Sequence, residues 1–423
     1  MKTIELKGLD KELYVEKLDN GLDIYLLPYE DKKNYYVSYA TKYGSDIQTF
    51  IVDGEEYTPP LGIAHYLEHK MFEEPSGEDP FTFFSRNGTD VNASTSYDNT
   101  QYICFGTKKF KENLKKLIEF VNTPYFTKEN VEKERGIITE EIKMYSDIPD
   151  YALEMRLREN LYKNNPRKDD IAGTVEEINR ITEDDLYRCY NSFYSPSNMF
   201  ILIVGNFDID DAMDIIKETL ATRDSWEVPK VKTKKEPKEV VKKEDTMYAD
   251  IEIPKLAVGI KVAKSCLGLD PINQDLYINM LTNIMFGSSS EFRERVRSDQ
   301  ILNDIYTEWE DTRDYKTFYL LATSKDPEQL LKEIKYELNH ISITKRTFER
   351  IKKVWIANEV KMIDDIEREE SNLFDDIISY NKIVTDRIEI IRNMSYKTLT
   401  DLISKIDLTN MSTLKMFNKE ITE

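Results

Sequence analysis

The sequence predicts an α+β protein made of two similar halves, and three observations carry that prediction. The chain has 423 residues, too many for one ordinary core and enough for two domains. A Lys/Glu-rich stretch with two prolines, "WEVPKVKTKKEPKEVVKKEDTM" from Trp226 to Met247, reads as an exposed linker near the middle. The segments on either side repeat one order of strands and helices. The expected division is therefore residues 1–225, a linker 226–247, and residues 248–423.

In the first half, "LDNGLDIYLLP" sets Asn20-Gly21 between two apolar runs, the signature of a tight hairpin with positive φ at both turn residues. "YYVSYATKYG" reads as a strand and "IAHYLEHKMF" (63–72) as a helix. "VNASTSYDNTQYICFGT" alternates like one or two strands, and helical patterns run from Lys109 to Tyr145. "MFILIVGNF", around Phe200, is continuously apolar, as expected of a strand covered on both faces. The second half follows with "KLAVGIKV", a helix from about Asp275 to Phe286, "TFYLLATS", and helices from Pro327 to Asp365.

The likeness extends to residues. "FTKENVEKERGIITEEIKM" (126–144) matches "ITKRTFERIKKVWIANEVKM" (343–362), with Thr-Lys near the start, Glu-(Ile/Val)-Lys-Met at the end and one residue inserted. Internal duplication explains this most simply. Anchored on the shared Met-Phe, "HYLEHKMF" (65–72) lies over "NMLTNIMF" (279–286), so His65, Glu68 and His69 face Asn279, Thr282 and Asn283. Both copies keep the apolar residues Leu67/Leu281, Met71/Met285 and Phe72/Phe286. Packing does not require His or Glu at these positions, which leaves His65, Glu68 and His69 to chemistry.

Composition narrows the classes of function. With 40% hydrophobic and 33% charged residues and few Gly or Pro, the chain is globular rather than disordered. A formal net charge of −20 disfavours a nucleic-acid partner, because phosphate binding needs a basic face. Cys104, Cys189 and Cys266 are widely spaced and odd in number, which fits reduced cytosol better than a disulfide framework or a cysteine zinc site. The N-terminus has no apolar signal-like core, and no apolar run is long enough to cross a bilayer. A soluble, cytoplasmic protein without a membrane partner is the expectation.

On a helix, residues four apart share a face, so the imidazoles of His65 and His69 can converge on one ion. Glu68 stands where it can reach a water on that ion without ligating it. Neutral imidazoles suit zinc, and a catalytic zinc keeps three protein ligands and an open position. The order His-x-x-Glu-His inverts the common His-Glu-x-x-His arrangement and is itself a metallopeptidase signature. A third ligand must come from elsewhere. His340, in "ELNHISI", reads as a surface or helix-end residue. In "VEKERGIITEEIKM", Glu134 and Glu141 lie seven apart on one face while Glu140 is rotated by about 100°. One of these carboxylates could ligate the ion while its facial partner orients a histidine from behind.

Together "LDNGLDIYLLP", "GIAHYLEHKMF", "VNASTSYDNTQY", "EKERGIITEEI" and "AGTVEEINRITEDDLYRCYNSFYSPSNMFILIVGNFD" resemble the pitrilysin/insulinase family of inverted-motif zinc peptidases. The match is to its short members, similar to mitochondrial processing peptidase subunits, and spans essentially the whole chain. The resemblance implies two α/β-roll domains with helices packed on largely antiparallel sheets, closing like a clam around a peptide. It implies zinc held by His65, His69 and Glu141, with Glu68 as general base and Glu134 supporting a ligand; Glu140 is the alternative third ligand. Asn92 and Ala93 fall in the edge strand that, in the family, adds the substrate peptide to the sheet. In the second half Arg297 matches the family's substrate-holding Arg, but the Tyr expected seven residues later is Asp304, and Tyr306 stands two further on.

The reading that follows is a zinc endopeptidase for unfolded peptides, working as a homodimer or as the catalytic half of a heterodimeric peptide-maturation protease. The rivals are a non-catalytic binding or assembly subunit of the same fold and a metal-dependent hydrolase acting on a non-peptide substrate.

Overall fold

The computed structural model describes residues 1–362 and 364–419. The chain opens with β1 (Lys2–Leu6), β2 (Lys11–Lys17), β3 (Asp23–Pro28) and β4 (Tyr35–Thr41), then a small hairpin of β5 (Phe50–Val52) and β6 (Glu55–Tyr57). Next come α1 (Ile63–Lys70), α2 (Pro80–Arg86), β7 (Asp90–Thr95), β8 (Thr100–Gly106), α3 (Phe110–Val121), α4 (Lys128–Ser146) and α5 (Pro149–Leu161). They are followed by α6 (Val175–Ile178), α7 (Glu183–Phe193), β9 (Met199–Gly205) and α8 (Ile209–Leu220). The later part holds β10 (Glu244–Ala249), β11 (Lys255–Ala263), α9 (Pro271–Phe286), α10 (Glu291–Ser298), β12 (Asp304–Asp311) and β13 (Tyr315–Thr323). It ends with α11 (Pro327–Asn339), α12 (Lys345–Met362), α13 (Ile366–Tyr380), α14 (Arg387–Asn393), α15 (Tyr396–Ile403) and β14 (Met411–Asn418).

Two compact units result, each built on one sheet. The first sheet has the order β1-β2-β3-β9-β4-β8-β7, antiparallel except for β3 beside β9. The second has the order β10-β14-β11-β13-β12, antiparallel except for β10 beside β14. Five strands of the first sheet, from β3 to β7 in spatial order, thus reappear in the second with the lone parallel pair in the same place. The duplication read from helix residues is present in the strand topology as well.

The units do not follow the linear division at 226–247. The first comprises Met1–Ile142, Asp170–Thr233 and Glu359–Ile388; the second comprises Lys143–Asp169, Lys234–Asn358 and the chain from Glu389 onward. Burial is the reason. Ile366, Leu373, Phe374 and Ile377 of α13 pack on Tyr25, Tyr36, Phe200, Leu202 and Val204 of the first sheet. Leu153, Leu157 and Leu161 of α5 pack on Ala257, Leu414 and Met416 of the second. Every residue of β9 is buried, since Ile201 and Ile203 face the main core while Phe200, Leu202 and Val204 face α13.

Two local expectations are corrected. The segment read as an exposed linker is fastened down. Val231 bridges to Phe50, and the buried Glu236 carboxylate accepts from the backbone N–H groups of Lys163, Asn164 and Asn165 and from Lys261 Nζ at 2.7 Å. At the "DNG" turn only Gly21 has positive φ, +89°. Leu18 O accepts from Gly21 N and Leu22 O from Leu18 N, a three-residue loop ending in a left-handed glycine. Asn20 is used instead for its side chain, which donates to Leu220 O and Arg223 O and accepts from Leu22 N.

The contact of α13 with the first sheet carries a titratable group. Glu370 is 2% exposed and accepts from Ser38 Oγ of β4, which in turn accepts from Gln101 Nε2 of β8 at 2.8 Å. Burial, with the charges of Asp375 and Glu367, pushes the Glu370 carboxyl up to about 8 against the lowering effect of the Ser38 bond. Between the ordinary carboxyl value of 4.5 and about 8, the folded chain keeps a proton that the unfolded chain releases. Stability is therefore complete below that window and declines as pH rises through it. Relative to the wild type, Glu370→Gln is expected to gain about 5 °C in melting temperature between pH 5 and pH 8. A difference independent of pH would contradict the assignment.

Candidate metal centre

Two glycines fix the entry of α1. Gly62 precedes the helix at φ +86°, and a Cβ there would stand 2.3 Å from Ala172 O. Gly173, at φ +74°, faces it, and its Cβ would stand 2.5 Å from Leu61 O. The backbones meet too closely for any side chain, so "GIAH" and "AGT" each need their glycine. Tyr66, Leu67 and Met71 are fully buried, and Phe72 stacks on Phe81 and packs against Tyr102 and Phe120. Of the three residues assigned to packing by the duplication, Leu67 and Met71 are in the core and Phe72 is partly buried beside it.

The histidines of α1 face α4. His65 and His69 lie with ring centroids 4.6 Å apart, and Glu141 stands over both, 3.8 Å from His65 Nε2 and 3.3 Å from His69 Nε2. One donor atom from each of the three lies within 4.8 Å of the others. Glu134, one face and two turns back, holds His69 Nδ1 at 3.0 Å. That bond places a proton on Nδ1, so Nε2, on the side of Glu141, is the nitrogen left to bind a metal, the arrangement in which a carboxylate orients a ligating imidazole. Of the two adjacent glutamates, Glu141 belongs to this group and Glu140 is exposed outside it.

Electrostatics divide the roles further. Burial, reinforced by His69, lowers the His65 imidazole to about 3, so it is neutral and a ready ligand. Burial also acts to lower His69, but the Glu134 bond and the charges of Glu68, Glu134 and Glu141 outweigh it and hold the group above its usual value. Burial and the nearby Glu141 raise Glu68, while His69 and a 3.1 Å hydrogen bond from Thr95 Oγ1 oppose the rise. A carboxylate raised in this way is suited to take up and return a proton. Two imidazole nitrogens and one carboxylate oxygen, with a further carboxylate poised alongside, form a donor set that fits zinc.

Asn92 and Ala93 lie on β7, the outer strand of the first sheet, with Asn92 exposed. The Ala93 N–H donates to Asn92 Oδ1 at 2.9 Å. Thr95, on the same strand, connects this edge to Glu68. The sequence reading missed Thr95; its place on the alternating run that carries Asn92 and Ala93 was the available signal.

Among the described residues of the second unit no such group of possible metal ligands occurs. On α9 the position of Glu68 is held by Thr282, whose hydroxyl accepts from Trp309 Nε1 of the edge strand β12 at 2.7 Å. The link between helix and edge strand survives there without its carboxylate. Arg297 is exposed on the last turn of α10. Asp304 and Tyr306 share the exposed face of β12, and Tyr306 donates to Glu308 at 2.8 Å. His340 caps the end of α11, exposed and stacked on Tyr336, as expected of a surface residue.

Comparison with known proteins gives one family. Residues 38–175 match the family model described as Insulinase (Peptidase family M16), and residues 180–354 match that of the Peptidase M16 inactive domain. A Bacillus subtilis (strain 168) chain named uncharacterized zinc protease YmfH is 39% identical over 341 residues, 79% of each chain. A solved chain from Alicyclobacillus acidocaldarius, described as an M16-like peptidase, matches with TM-score 0.91 at 30% identity, over 97% of this chain and 99% of its own. The periplasmic protease PqqL of Escherichia coli shares the fold with TM-score 0.78 at 21% identity, over 99% of this chain and 49% of its own. No described helix is long and apolar enough to cross a membrane.

Proposed function

The chain belongs to the M16 insulinase family of peptidases, and from that premise we propose that it is a zinc-dependent endopeptidase acting on unfolded peptides. The observation that carries the proposal is the convergence of His65, His69 and Glu141 beside Glu68, with Glu68 tied to the edge strand. Zinc held by these three residues would polarise the scissile carbonyl and acidify the attacking water. Glu68 takes the proton of that water and returns it to the leaving amine. Thr95 keeps the Glu68 carboxylate turned toward the site, and Glu134 keeps His69 in the ligating tautomer. The open edge of β7 at Asn92 and Ala93 receives the peptide as an added strand, which presents extended backbone and excludes folded substrates.

The second unit, with no group of possible metal ligands among its described residues, would serve the substrate through Arg297, with Tyr306 at the shifted tyrosine position. PqqL, in which this length occupies about half of one chain, supports a pair of such chains as the working form, whether two copies or a heterodimer with a related subunit. We place the protein in the cytoplasm on its cysteine usage, two of the three free thiols being buried. The test is cleavage of an unstructured fluorogenic peptide. Chelation is expected to remove the activity and one equivalent of zinc to restore it; cleavage that survives complete chelation would overturn the proposal.

A further inference from the structure

Resting on the zinc reading above, we infer that Tyr66 and Lys70 are positioning residues that set the register of α4 so that its glutamates meet the histidines. They occupy the positions immediately after His65 and His69, about 100° around the helix. Tyr66 is fully buried and its hydroxyl donates to Val131 O. Lys70 is fully buried too, donating to Asn130 O at 3.1 Å and pairing with Glu73 at 2.9 Å. Two donors one turn apart on α1 thus hold two adjacent carbonyls in the first turn of α4. Each carbonyl has a second lone pair for such a bond beside its helical one.

That first turn is itself fixed. Thr127 N donates to Asn130 Oδ1, Asn130 N to Thr127 Oγ1, and Asn130 Nδ2 to Tyr125 O. A slip of one residue would move α4 by about 1.5 Å and turn it by about 100°, carrying Glu134 and Glu141 off the imidazoles. Two bonds to neighbouring carbonyls oppose both the shift and the rotation.

The duplication separates this role from packing. In the second unit the positions of Tyr66 and Lys70 are Met280 and Ile284, both buried and apolar. The residue opposite Glu134 there is Ile351 or Lys352, according to where the inserted residue falls, so no ligand-orienting carboxylate needs placing. Burying an ammonium is costly unless it is paired, and at the position of Lys70 the second unit carries the apolar Ile284 instead. The two polar donors occur only where α4 must be held in register for a site.

The test uses the full chain with Tyr66→Phe and Lys70→Met combined, which returns the apolar chemistry of the second unit. Zinc affinity by competition with a chromophoric chelator is expected to weaken about 10- to 100-fold, the usual effect of losing support behind ligands. The melting temperature of the zinc-free chain should stay within a few degrees of the wild type, as the apolar twin implies. Should the double variant not fold, Tyr66→Phe alone removes one hydroxyl and almost no volume, and a threefold or greater loss of affinity is then the supporting result. Variants that bind zinc as tightly as a zinc-binding wild type would overturn this inference alone; a wild type that binds none would overturn the parent proposal as well.

Discussion

Glu68→Gln is expected to lower peptide hydrolysis by about 10³-fold while leaving zinc binding near one equivalent per chain. The substitution keeps the size and much of the hydrogen bonding of the side chain, including acceptance from Thr95 Oγ1. It removes the group able to carry a proton from water to the leaving amine. The group that could hold a metal consists of His65, His69 and Glu141 without Glu68, so metal content and turnover should separate. Rate assays beside zinc analysis of the same preparation check this. Wild-type turnover in the variant would remove Glu68 from the mechanism.

The second large effect distinguishes adjacent glutamates. Glu141→Gln is expected to weaken zinc binding by at least about 100-fold and to lower activity accordingly, whereas Glu140→Gln should change neither by more than about twofold. Glu141 stands 3.3 Å from His69 Nε2, while Glu140 is exposed and rotated by about 100° from that face. Chelator competition on the two variants measures the contrast. Equal losses in both would mean that α4 sits in another register.

Much of this site was legible because its information is local. The four-residue spacing of His65 and His69 determines a shared face on any helix, and the seven-residue spacing of Glu134 and Glu141 does the same two turns apart. The duplicate "NMLTNIMF" then separated packing from chemistry within one sequence. Which of Glu140 and Glu141 stands nearer the histidines was less accessible, because it depends on where α1 lies against α4, a tertiary fact.

The long-range arrangement was hidden for a different reason. An amphipathic helix specifies a face to bury but not the surface that buries it, so nothing in α13 or α5 announces which sheet it covers. The Lys/Glu-rich segment misled because a carboxylate saturated by backbone N–H groups, such as Glu236, has the same letter as a solvated one. Asn20 misled similarly, being required for hydrogen bonds across 200 residues rather than for turn conformation. Strand β9 succeeded where these failed, since six consecutive apolar side chains, Met199 to Val204, already demand cover on both faces.

The central claim is that His65, His69 and Glu141 hold the zinc on which peptide cleavage depends, and titration of the metal-free chain with zinc tests it most directly. The expected result is activity that rises linearly and breaks at one equivalent. Activity without added zinc, or saturation of the chain with zinc without any cleavage of an unstructured peptide, would contradict it.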